Sequence, residues 1–512
     1  MHVHRDSQYA TPYASQLEAM AALGYQRFHV PAHQGDTGAA ASLASLLGAR
    51  AVELDFPMLI TEVDLATGDW HRTDIPTPID RSLDLAAQAW GAARAWYLTN
   101  GASIGNQVMT LALGTLGREV ICQRSVHSST IDGMMLAGLD PLFVQPSVDL
   151  ELGSAHGVTA AQVSEALAER PGAVAVIVVS PSYFGAVADI AAIAEVVHAA
   201  GKPLIVDEAW GSHFGFHPGL PTGAIRAGAD LVISSTHKGA GSLTQSAMLL
   251  LGDGPHAEAL EAAVERVMRT VQSTSSSALL MASLDHARRY LATEGERAFS
   301  EALEGVARLR AAIARDGRFA EVRERILEFP DVADVDPLKV VIDTRVGGIS
   351  GHLAQTVLMH EHRVIVEMAT DRAIVLVVGP GNPVDVERLM AALTALPRED
   401  EPADAAPGAP GAGTAFESYA ALTRLAPPAP GPRALTLREA FFAPAELVDA
   451  DAAIGRVSSD SLAAYPPGIP NATPGEVLTE ETVRFLQAIA QAPSGYVRGA
   501  AAPGCAQFRV VR

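Results

Sequence analysis

The chain has 512 residues, with 37 Lys and Arg against 58 Asp and Glu, a net charge of −21, and 48% hydrophobic side chains. That apolar content excludes a disordered chain, the acidity excludes a general nucleic-acid binder, and the length suffices for several lobes with cores of their own. Two cysteines, Cys122 and Cys505, cannot build a disulfide framework, and Cys122 sits in an apolar run, so a reducing compartment is expected.

The first residues, Met1 to Asp6, carry no basic stretch followed by an apolar core, so no signal peptide is predicted. Apolar windows such as 173–179 and 373–378 fall far short of the roughly 20 residues that span a bilayer. A cytoplasmic protein with no membrane contact is expected. Residues 1–75 read as an N-terminal segment. From about residue 80 to 255, amphipathic segments alternate with β-rich runs at 119–122, 141–144, 174–180, 203–207, 230–234 and 247–251. Several runs are apolar at consecutive positions, as strands covered on both faces are. The pattern predicts an α/β fold whose large domain, residues 76–330, holds a doubly wound, mostly parallel sheet. Ligands of such sheets collect beyond the carboxyl ends of the strands.

Long helical stretches follow from 257 to about 329, for example 279–291. Strand-like runs at 338–343, 363–367 and 373–378, with helices at 353–360 and 384–396, predict a small α+β domain over 331–397. Residues 398–434, rich in Pro, Ala, Gly and acid, read as a mostly flexible linker with a helix-like island at 417–425. Residues 435–512 regain apolar content and form a C-terminal subdomain with a final helix near 479–490.

Only three of the 37 basic residues are lysines: Lys202, Lys238 and Lys339. The run Leu204-Ile205-Val206-Asp207 sets a carboxylate at the mouth of the sheet, and Leu231-Val232-Ile233-Ser234 sets Lys238 just beyond another strand. Such a lysine can form a Schiff base with an aldehyde cofactor, and such an aspartate can keep a pyridine nitrogen protonated. The spacing equally suits an Asp–Lys ion pair capping two strand ends. The segment Thr99 to Asn106 is a Gly- and Ser-bearing loop before an apolar helix, 108–116, which suits a phosphate. His127 follows a third strand and could stack on a planar ring or serve as a hydrogen-bonded structural histidine. Ser235 and His237 offer phosphate donors beside Lys238.

At these residues the sequence resembles the Orn/Lys/Arg decarboxylases, which depend on pyridoxal 5'-phosphate and share the aspartate-aminotransferase-like fold type I. The matching words are Ser234-Ser235-Thr236-His237-Lys238 with Thr244-Gln245-Ser246-Ala247-Met248-Leu249, Asp207-Glu208-Ala209-Trp210-Gly211-Ser212-His213, Ser180-Pro181-Ser182-Tyr183-Phe184-Gly185, Met134 to Pro141, Ala282-Ser283-Leu284-Asp285, Tyr465 to Pro470 and Pro474-Gly475-Glu476. They occur in the family's order over nearly the whole chain. The resemblance implies Lys238 as the cofactor-attaching lysine, Asp207 as the pyridine-nitrogen partner and His127 as the stacking ring. It implies Ala209 against the other ring face, Ala102, Ser103, Ser235 and His237 at the phosphate, and a phosphate contact from the 273–277 run of a neighbouring subunit. Glu367 is implied as an acid that selects a cationic substrate tail, an exposed strand-end glutamate being the alternative. The implied reaction is α-decarboxylation of a basic amino acid, arginine or lysine before ornithine, by an oligomer of at least two subunits. Ala32 and Gln34 stand where the family usually has Gly and Lys, and Trp210 where many members have His. These departures bear on the substrate more than on the reaction.

Metal catalysis fits poorly, because His360-Glu361-His362 lacks the spacing of a helical zinc motif and no cysteine pair completes a site. An aminotransferase or another carbon-bond lyase shares the scaffold and differs in products. A scaffold protein that lost activity has no need of Lys238, Asp207 and His127 together.

Overall fold

The computed structural model describes residues 7–57, 76–398, 428–465, 468–491 and 495–512. Most of the expected linker, with its island at 417–425, lies outside the described residues, as do 58–75 of the N-terminal segment and Pro466-Pro467 of the tail motif.

Seven strands form the central sheet: β1 (Arg94–Leu98), β2 (Glu119–Gln123), β3 (Asp140–Val144), β4 (Val176–Val179), β5 (Leu204–Asp207), β6 (Leu231–Ser234) and β7 (Ala247–Leu251), in the order β1-β7-β6-β5-β4-β2-β3. Only β7 runs against its neighbours; the pairs from β6 to β3 are parallel. Alternate residues enter different cores. Val120, Cys122, Ile205 and Ile233 face one apolar cluster, whereas Ile121, Leu204, Val206 and Val232 face another. This two-sided burial explains why the runs are apolar at every position. Strand β1 was not expected, because it opens on exposed Arg94 and owes its strand character to Trp96 and Tyr97.

Helix α1 (Pro12–Ala22) docks on the 39-residue helix α4 (Ala278–Asp316). The Asp285 carboxylate, with no exposure, accepts the Tyr13 and Ala14 amides at 3.0 and 3.2 Å, so a buried anion sits at the positive end of α1. Arg288 pairs with Asp285 at 2.6 Å and donates to Gln8 O at 2.7 Å. The Ser273–Ser277 run also has a local use: Ser277 caps α4 by accepting the Leu280 amide at 3.4 Å.

A four-stranded antiparallel sheet follows, built from β8 (Ala320–Glu321), β9 (Lys339–Asp343), β10 (Met368–Ala369) and β11 (Ala373–Val377) in the order β8-β9-β11-β10. The strand expected at 363–367 is displaced to β10. Arg363 has φ +55°, a left-handed conformation that interrupts extended backbone.

Residues beyond 428 pack on the large sheet through a buried charge pair. Arg124, just after β2, is 2% exposed and binds Glu476 through two 2.8 Å hydrogen bonds, while its Nε donates to Pro470 O at 3.0 Å. Removing one partner of such a pair strands the other without water. Glu476→Ala should therefore lose on the order of 3 to 5 kcal/mol of stability, read as a lowered urea midpoint against the parent protein.

Candidate active site

The carboxyl ends of β1, β2, β5 and β6 open on one edge of the sheet, and the loops after them enclose a cavity of ≈ 380 Å³. Ala102, Ser103, His127, Asp207, Ala209, Ser235, His237 and Lys238 all line it. Glu367 does not. It is exposed on an adjoining groove and reaches the cavity wall by accepting the Tyr183 hydroxyl at 2.6 Å.

Helix α2 (Gly101–Gly114) starts at Gly101 rather than at the expected 108, so the Gly- and Ser-bearing segment is its first turn. Gly101 takes φ +74°, which only glycine adopts readily. No side chain caps this end, and its amides with the Ser103 hydroxyl are available to an anion. Across the cavity, His237 Nδ1 donates to Ser246 O at 2.9 Å, which directs Nε2 away from the backbone.

Asp207 is 2% exposed. Its Oδ1 accepts the Ala209 amide at 3.1 Å and its Oδ2 accepts Asn106 Nδ2 at 3.0 Å. Asn106 also donates to Ser129 Oγ at 3.1 Å, and that hydroxyl lies 2.7 Å from His127 Nδ1. A continuous hydrogen-bonded line thus fixes the carboxylate relative to the imidazole. His127 is the N-cap of α3 (Ser128–Ala137), with Nδ1 accepting the Ser129 amide at 3.2 Å. Burial holds the imidazole below its usual range, opposed by Asp207 and aided by Lys238. It is therefore neutral near pH 7.

Lys238 sits in the short helix Thr236–Gly239, its Nζ 4.1 Å from the centroid of the Trp210 ring. Among the described residues no hydrogen bond or ion pair holds this amine. Burial lowers its proton affinity, with Asp207 and Glu367 acting in the opposite sense. Tyr183 stands edge-on to Trp210 at 4.6 Å.

Several residues of the site carried no sequence signal. Asn106 shares a helical face with Ser103, yet its partner Asp207 is 101 positions away. Arg498, Ser461 and Ala463 bring the C-terminal subdomain to the cavity wall. Glu208 follows Asp207 but points into the protein, where it accepts the Ala224 amide at 2.7 Å. Desolvation pushes its carboxyl up to about 8 from 4.5. Its neutral form then stabilises the fold fully below about pH 4.5, and that contribution is lost as pH rises through about 8. Glu208→Gln should thus gain stability relative to the parent by on the order of a few kcal/mol between pH 5 and pH 8, measured by urea unfolding at both values.

The donor set fits a phosphorylated pyridine aldehyde. A free amine, a buried carboxylate, a neutral imidazole, an uncapped helix end bearing Ser103, and Ser235 from another loop surround one cavity. Among the described residues no cluster of metal-binding side chains occurs, and no helix is long and apolar enough to cross a membrane.

Fold and site together define a pyridoxal-phosphate-dependent enzyme of fold type I. The Orn/Lys/Arg decarboxylase major domain matches residues 11–385, and that family's C-terminal domain matches 429–496. The chain belongs to the Orn/Lys/Arg decarboxylase family and is a carboxy-lyase. It is 32% identical to an arginine decarboxylase of Bacillus subtilis over 94% of each chain. It is 33% identical to one from Halalkalibacterium halodurans over 94% of this chain and 93% of the relative. Lysine decarboxylase A of Pseudomonas aeruginosa has the same fold at 20% identity, with a TM-score of 0.82 over 98% of this chain and 81% of that one.

Proposed function

We propose that the chain removes the α-carboxylate of arginine, releasing carbon dioxide and the corresponding amine, with Lys238, Asp207 and His127 as its catalytic residues. The observation that carries this reading is their convergence in one cavity; the arginine preference leans on the relatives' names. When bound, pyridoxal phosphate supplies an electron sink for the pair left by the departing carboxylate. Lys238 would hold the cofactor through its ε-amine, which no hydrogen bond among the described residues occupies, and would give up that place to the substrate amine. Asp207, steadied by Asn106, keeps a proton on the pyridine nitrogen. His127 and Ala209, which both line the cavity, would hold the ring between them. Ser103, Ser235, His237 and the amide of Ala102 take the phosphate.

Incubation with arginine, lysine and ornithine, with carbon dioxide and amine both followed, tests the reading. Carbon dioxide and agmatine from arginine are expected; keto acid without carbon dioxide would give the site to an aminotransferase. Glu367, on the rim through Tyr183, selects the cationic tail in this reading. Glu367→Gln should raise KM for arginine about tenfold with little change in kcat, since the lost contact is made equally in ground and transition states.

The working unit in this reading is at least a dimer, and the protein is cytoplasmic. Exposed Phe28 (81%), Leu46 (79%) and Val30 (72%) in the N-terminal segment support an interface there, near the Ala32 and Gln34 departures. Light scattering should give twice the chain mass or more; an active monomer would refute it. The division at 75, 330, 397 and 434 is part of the same proposal.

A further inference from the structure

Trp210 lies beneath two amines. Lys339 Nζ is 3.6 Å from its ring centroid and Lys238 Nζ is 4.1 Å from it. The two nitrogens are therefore within about 8 Å, no farther than a Debye length at physiological salt. Lys339 projects from β9 of the small sheet and is 2% exposed. Its Nζ donates to Tyr183 O at 2.5 Å. Gly185, at φ +90°, leaves room for the stem, since a Cβ there would meet Lys339 Cβ and Cδ at 3.3 Å.

The surrounding charges leave this ammonium only loosely balanced. Among the described residues no carboxylate forms an ion pair with it. Asp336 is engaged by His213 Nε2 at 3.2 Å and the Leu338 amide at 3.0 Å. Glu367 is engaged by the Tyr183 hydroxyl. Both act on Lys339 from longer range, and Lys238 opposes its charge. Asp207 and Glu367 act likewise on Lys238. Among the described residues the other buried cations, Arg124 and Arg288, are arginines, so lysine here supplies a group that can lose its proton.

We propose that Lys339 is a positioning residue for Lys238: its ammonium, held on the shared Trp210 ring, favours the uncharged Lys238 amine, the form that adds to a carbonyl. This rests on the reading of Lys238 as the attachment lysine. Burial brings Lys339 down to about 7. The repulsion is thus full below that pH and fades above it.

The test follows attachment of pyridoxal phosphate to the full chain, stripped of cofactor, as borohydride-fixed label against pH. Lys339→Arg is a cation at every pH and Lys339→Met at none. The Arg variant should have its attachment midpoint lower than the Met variant by on the order of one pH unit, with the parent between them. Equal midpoints in the two variants overturn the inference, whereas label absent from Lys238 in the parent overturns the underlying reading instead. Should a variant fold poorly, the parent labelled with ¹³C-lysine decides, because three lysines give three ε-carbon signals. Two signals titrating below the ordinary lysine range, each inflected at the other's midpoint, are expected. Independent titration of all three overturns the proposal.

Discussion

In the Lys238→Ala variant, borohydride should fix no cofactor to the protein, and turnover should fall on the order of a thousandfold or more, because the proposed attachment point is gone. The scarcity of lysine makes the readout unambiguous. Lys202 lies at the amino end of β5, across the sheet from the cavity, so label there would mean surface chemistry. Lys339 is the serious rival, since it shares the Trp210 ring, but it is tied to Tyr183 O whereas Lys238 is held by no hydrogen bond. A peptide map of the parent with label on Lys339 would exchange the two roles.

The Asp207→Ala variant should behave differently. Attachment at Lys238 should persist, because the amine and the phosphate donors are untouched. Turnover should nevertheless drop on the order of a hundredfold or more, as the buried carboxylate proposed to stabilise the protonated nitrogen is missing. Near-normal turnover would remove Asp207 from the mechanism. In the variant Asn106 keeps its bond to Ser129 Oγ but has no carboxylate left to steady, so the double replacement Asp207→Ala with Asn106→Ala should cost little more activity than the single one.

Much of this arrangement was legible because burial on both faces writes itself into composition. Strands β2 and β4 to β7 carry consecutive apolar residues, and His127, Asp207 and Lys238 were visible at or just beyond the carboxyl ends of β2, β5 and β6. Strand β1 escaped because its run is short and opens on exposed, charged Arg94. The start of α2 escaped because Gly101, Ser103 and Gly105 read as loop, while the helix is held by Val108, Met109 and Leu113 packing on the sheet. What could not be read were pairings across the chain. Asn106 with Asp207, Trp210 with both lysines, and Arg124 with Glu476 each join residues that sequence spacing does not bring together. Lys339 was recognised as a strand position, but its neighbourhood depends on how the small sheet leans on Trp210.

The Arg124–Glu476 pair also has a history in time. Its members are 352 residues apart, so at about 5 to 20 residues per second the ribosome makes the arginine roughly 20 to 70 s before its partner. Once β7 has been made the central sheet can be complete, yet until Glu476 follows the guanidinium must stay hydrated, and the ground beneath it cannot close. The nascent large domain therefore waits with an open flank, and a segment translated well after it is the part that seals it.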